Sequence, residues 1–151
     1  MLSRHPDHSE RQRWMGVLAR ASAPELEALW RAHGAGAALA PLRPAETGLV
    51  MVRGRAGGTG QRFNLGEMTV TRCAVEGPGG VIGHGYVKGR DKRHAELAAA
   101  FDALLQDEAR RPALLAAVID PLAAAQAQRR ATVAAKAATT KVEFFTLVRG
   151  E

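Results

Sequence analysis

Apolar positions in the first third of the chain fall at helical spacing. In residues 9–20, Trp14, Val17 and Leu18 share one face, which predicts an amphipathic helix. Ser22 reads as an N-cap, with Pro24 just inside a second helix that runs to about His33. Leu26, Leu29 and Trp30 form its apolar face, and Gly34 is a stop signal. Residues 36–46 are rich in Ala and Pro and read as a connector or an irregular edge strand.

From Thr47 the pattern turns to strand. Leu49, Val50, Met51 and Val52 make a short apolar run that ends at Arg53. After a glycine-rich stretch, residues 67–75 (EMTVTRCAV) alternate and are rich in β-branched side chains. Gly-Pro-Gly-Gly at 77–80 predicts a turn, and residues 81–87 (VIGHGYV) a third strand. Short connections between neighbouring strands predict an antiparallel meander. Asp91 reads as the N-cap of a helix reaching about Glu108, with Leu97, Phe101, Leu104 and Leu105 on one stripe. An Ala-rich helix is predicted over 112–138, interrupted at Pro121, with Asp120 capping its second half. Residues 142–148 (VEFFTLV) predict a strand that returns to the sheet. The expected fold class is α+β: a largely antiparallel sheet, meander plus C-terminal strand, with N-terminal helices and two helices after the meander. The 151 residues suit one domain, with residues 1–8 expected to be flexible.

Charge narrows the partners. The net charge of +6 favours nucleic acid, phosphorylated ligands or an acidic protein surface. Arginine outnumbers lysine 17 to 4, but alanine, at 30 residues, is equally overused, so a GC-rich coding bias accounts for the ratio. It does not account for where the arginines sit. The single cysteine, Cys73, excludes an internal disulfide, a zinc site built on several cysteines and a Cys-ligated iron–sulfur cluster within this chain. It reads as a small buried apolar residue or a catalytic thiolate. His5, His8, His33, His84 and His94 are scattered without the spacing of a metal pair, so no metal is expected. The polar start MLSRHPDHSERQRW resembles no signal peptide, and no apolar run approaches ~18 residues, so a cytoplasmic protein without a membrane span is expected.

The stretch RGRAGGTGQRFNLGEMTVTR, residues 53–72, is the most unusual in the chain. It fails as a P-loop, because no Lys and Ser/Thr follow its glycines. Gly83-His84-Gly85-Tyr86-Val87-Lys88-Gly89 fails as a dinucleotide fingerprint, with one residue too many and strand-like residues at the turn. The glycine loop still admits two readings. Its amides, with Gly58 and Gly60, could form an anion nest flanked by Arg53, Arg55 and Arg62, or it is a flexible connection with solvated arginines. The strand-to-helix junction at Arg90, Arg93 and His94 is a second candidate. It reads as an anion site at a helix N-terminus, or as a capped helix start with a hydrogen-bonded core histidine. Glu67 shares a strand face with Thr69, Thr71 and Cys73, a half-polar surface suited to lining a site or an interface. No histidine partner is spaced to make Glu67 a general base.

Three long blocks, residues 11–21, 43–75 and 83–106, together resemble the PhnG family, subunits of the bacterial carbon–phosphorus lyase system. The likeness is strongest over 46–72 and 83–95 and covers most of the chain. It implies a role in organophosphonate catabolism, in a core complex with PhnI-, PhnH- and PhnJ-like partners. There a phosphonate oxygen attacks the anomeric carbon of ATP or GTP and the base leaves, giving a ribose 1-phosphonate 5-triphosphate. The resemblance places an iron–sulfur cluster and S-adenosylmethionine on a partner subunit, none on this chain, and names no catalytic residue here. The expected function is therefore a subunit of that transferase, inactive alone. The rival readings are a basic nucleic-acid-binding module and a stand-alone enzyme. Aromatic residues are not interleaved with the glycine loop, and no nucleophile–base pair is recognisable, which counts against each in turn.

Overall fold

The computed structural model describes residues 8–141. The predicted strand at 142–148 lies outside them. Helices α1 (His8–Arg20) and α2 (Ala23–His33) come first, then strands β1 (Ala40–Arg55), β2 (Arg62–Glu76) and β3 (Ile82–Lys88). Helix α3 (Lys92–Leu105) follows, and the chain continues through α4 (Arg111–Leu114), a π turn at Leu115–Ile119 and α5 (Asp120–Thr139). The sheet is an antiparallel meander in the order β1-β2-β3, so the fold is α+β as expected.

α3 is the centre of the molecule. From His94 to Leu105 every residue but Glu96 is buried. One side lies on the sheet, against Thr71, Cys73 and Val87. The other meets Trp14, Val17 and Leu18 of α1 and Leu26 of α2. Trp30 meets the Phe101 ring edge-on at 5.4 Å between centroids. The glycines of GHGYVKG serve this packing. A Cβ on Gly83 would fall on the Ala99 carbonyl oxygen, and one on Gly85 on that of Ala95. These two glycines, opposite the small stripe Ala95, Ala99 and Ala103, let helix and strand backbones approach closely.

Local signals set the first helices. Ser22 accepts from the Glu25 amide while Glu25 accepts from the Ser22 amide at 2.9 Å, a reciprocal capping box. β1 begins at Ala40, so residues 40–46 follow the second of their two readings, an irregular edge strand, with register shifts between Pro41 and Arg43 and between Arg43 and Glu46. An edge strand tolerates Pro41 and Pro44, because their missing amides interrupt no inner ladder. Two predictions are corrected. β2 begins at Arg62 rather than Glu67, because residues 62–66 pair with β1 instead of forming loop. Pro121 does not interrupt its helix, and Asp120 is not a cap. The backbone stays right-handed helical through Ile119 and Asp120, and the Asp120 amide bonds back to Leu115. The π turn absorbs the proline by widening the ladder one turn earlier. Asp120 instead pairs with Arg13 at 2.7 Å.

Candidate functional site

The sheet has two regions. β3 covers β2 only from Val70 to Glu76, whereas the pairing of β1 with β2 runs on to Arg55 opposite Arg62. Residues 49–69 therefore form a two-stranded ribbon beyond the third strand. Of the stretch 53–72, only the tip is loop. Ala56–Gly58 make a single 3₁₀ turn, with Gly57 at φ 60° and Gly58 at φ 81°, left-handed values that favour glycine. The Thr59 and Gly60 amides both bond to the Ala56 carbonyl, and Arg55 Nη1 donates to the Gly60 carbonyl at 3.2 Å. These amides are thus engaged within the turn. The guanidinium groups of Arg53, Arg55 and Arg62 supply positive charge at the tip. All three are exposed, and among the described residues none is in an ion pair.

The face predicted for Glu67 divides. Glu67 stands exposed on the ribbon opposite Met51, while Thr71 and Cys73 are buried beneath α3. They are core, not the lining of one polar surface, because α3 covers the strand only from its middle onward. Thr71 bonds the Gly89 carbonyl at 2.7 Å and lies 3.0 Å from the Thr47 hydroxyl, so it carries no orphan polar atom.

The second group of candidates is committed elsewhere. Asp91 accepts from the His94 amide at 2.9 Å and caps α3. Arg93 grips Glu27 of α2 with two bonds, at 2.8 and 3.2 Å, and meets Glu96 at 3.6 Å. The bond to Glu27 raises the Arg93 pKa, and Arg93 holds the Glu27 carboxyl below its ordinary range. His94 is 7% exposed and its Nε2 lies 2.9 Å from the Leu18 carbonyl oxygen. Arg93 and His94 thus tie α3 to α2 and α1, and Arg90 is left facing solvent. Gly89 bonds to Thr69, seven residues of strand from Arg62, which sets the two groups roughly 20 Å apart. They do not converge on one anion.

Sequence reasoning missed Asp102. Its carboxylate is fully buried and accepts four bonds. Arg11 donates from Nε at 3.2 Å and Nη2 at 2.7 Å, Trp14 Nε1 at 2.8 Å and the His84 amide at 2.9 Å. One side chain joins α1, β3 and α3. A lone acid inside the apolar run AAAFDALL was the available signal, since a buried aspartate demands partners. A cavity of about 240 Å³ lies under the irregular start of β1, lined by Trp30, Pro41, Cys73, Leu97, Arg43 and Arg93 among others. Its two arginines are already paired, Arg43 with Glu46 and Arg93 with Glu27. Burial, with Glu96 nearby, pushes the Cys73 thiol up to about 11, so it is protonated at neutral pH and a poor nucleophile.

Fold and surface together define a class: an α+β protein whose buried side-chain polar atoms are satisfied among the described residues, with three arginines outside any ion pair and four exposed large apolar residues on a projecting ribbon. The comparisons carry that further. Residues 9–150 match the family described as phosphonate metabolism protein PhnG, and the chain belongs to that family. It is 47% identical over 143 residues to the alpha-D-ribose 1-methylphosphonate 5-triphosphate synthase subunit PhnG of Rhizobium meliloti (strain 1021), an alignment spanning 95% of this chain and 91% of the relative.

Proposed function

We propose that this chain is a subunit of an alpha-D-ribose 1-methylphosphonate 5-triphosphate synthase in phosphonate catabolism. The observation that carries the reading is the 47% identity to such a subunit over nearly the whole of both chains. In the reaction a phosphonate oxygen bonds to C1′ of ATP or GTP, the C1′–N bond breaks, and the base leaves with the electron pair and takes up a proton. The partners are PhnI-, PhnH- and PhnJ-like subunits in the cytoplasm, and the iron–sulfur cluster and S-adenosylmethionine belong to the PhnJ-like one.

The division of labour fits the surface. The core polar groups are satisfied internally and the thiol of Cys73 is held protonated. Arg53, Arg55, Arg62 and Arg90 are the groups available to an anionic ligand or a partner, and Glu67 to a cationic one. Gly58 and Gly60 shape the tip; Arg93 and His94 act from within the scaffold. A nucleic-acid reading has one point in its favour. Phe63 is exposed beside Arg62, so the ribbon does carry an aromatic, contrary to the sequence expectation. One ring is not a stacking row, and no gel shift is expected at low salt.

The test is reconstitution with the three partner subunits, ATP and methylphosphonate. Release of free adenine is expected from the full set and neither from this chain alone nor from the set lacking it. An unchanged rate without this chain would overturn the reading.

A further inference from the structure

The ribbon carries four exposed large apolar side chains. Leu49 is 62% exposed, Met51 56%, Phe63 44% and Leu65 64%. They are not on one face. Leu49 and Met51 pair across the ribbon with Thr69 and Glu67. Leu65 is the extra residue of a bulge where the register shifts after Val52, and it lies with Phe63 beside Gly54, on the opposite face. A surface that lies flat on a neighbour has one apolar face. A ribbon apolar on both faces suits insertion between two walls. A two-stranded ribbon is also marginal in water by itself, and contiguous exposed apolar surface marks an interaction site.

The tip adds charge. Arg53, Arg55 and Arg62 stand against a single acid, Glu67, in residues 49–69. Two copies meeting through this ribbon would bring like charges together, in a chain that already carries +6. A partner with an apolar cleft rimmed by carboxylates would complement it on both counts.

We infer that the β1–β2 ribbon is the docking arm of this chain, held on both faces in an apolar, acid-rimmed cleft of another synthase subunit. The inference rests on the subunit reading above. The test uses the full chain, affinity-tagged and co-expressed with the other three subunits, as wild type and as two variants. One is L49S/M51S/F63S/L65S; the other is R53E/R55E/R62E. Recovery of partner subunits is expected to fall by ~10-fold or more in the apolar variant and measurably in the charge variant. In the wild-type complex, hydrogen exchange at residues 49–69 is expected to slow by ~10-fold or more relative to the free chain. That measurement stands even if a variant fails to fold. Wild-type recovery by both folded variants, or unchanged exchange in the ribbon, would overturn the docking arm. Self-association of the free chain that the same substitutions abolish would overturn the choice of occupant. Failure of the wild-type chain to recover any partner would count instead against the subunit reading itself.

Discussion

Asp102 shows how one residue can organise a fold. A carboxylate fully removed from water is tolerated only when its lone pairs are engaged, and here four donors from two other elements, α1 and β3, engage them. Asp102→Ala leaves Trp14 Nε1 and the His84 amide without their acceptor, and Arg11 with only the Ile82 carbonyl. The expected loss is about 3–5 kcal/mol, read from urea unfolding. Cys73 acts in the other direction, since its neighbourhood disfavours charge. Its folded pKa, near 11, lies above the ordinary value of 9.0. The thiol's contribution to stability is therefore full below pH ~9, where both states hold the proton, and is lost as pH rises toward 11 and the unfolded state ionises first. Cys73→Ala should make the decline in stability between those values shallower, as followed by denaturant midpoints at a series of pH values. An equal slope in both proteins would contradict the assignment. His94 and Arg93, read from sequence either as part of an anion site or as part of a capped helix start with a core histidine, show where residue type alone stops. A helix N-terminus rich in cations serves anion binding or helix docking equally well, and only the positions of Leu18 and Glu27 separate the two.

Helix and strand meet most closely where α3 crosses β3. Gly85→Ala places a methyl group on the Ala95 carbonyl oxygen, a backbone atom that cannot swing aside. Helix and strand must separate, at an expected cost of about 3 kcal/mol, measurable by thermal or urea unfolding. The ribbon is the opposite kind of element, since little of the core depends on it. Replacing residues 51–67 with a two-residue Asn-Gly turn, which keeps Val50 opposite Met68, should leave Tm within a few degrees of wild type, because the buried cluster draws on β2 only from Val70 onward. A collapse of Tm would show that the ribbon supports the core. The sequence marked the inner parts of this ribbon, 49–52 and 67–69, by apolar run and alternation, and read the residues between them as a glycine loop, because Gly54–Gly66 carry no strand pattern of their own. It left 36–46 open between a connector and an irregular edge strand, because Pro41, Pro44 and the surrounding alanines suit a linker until an edge position is available to hold them.

At the scale of the molecule, α3 is shared by the sheet and the helices, so neither half has a core of its own. Unfolding should be a single transition, with coincident midpoints for the fluorescence of Trp14 and Trp30 and for far-ultraviolet circular dichroism. Separate midpoints would show that the helices unfold independently of the sheet. What leaves this body is the ribbon, with three arginines outside any ion pair and four exposed apolar residues among the described residues. The amino-acid sequence by itself determined the α+β class, the capped starts of α2 and α3, the meander and the family, because these rest on short-range periodicity, capping chemistry and long specific strings. Only the tertiary structure decided that Gly83 and Gly85 seat a helix, that Asp102 is a buried junction, and that Arg93 and His94 are scaffold while Arg53, Arg55 and Arg62 are surface. The contacts of Arg93, His94 and Asp102 with the N-terminal helices span 66 to 91 positions of chain, and no local pattern encodes that distance.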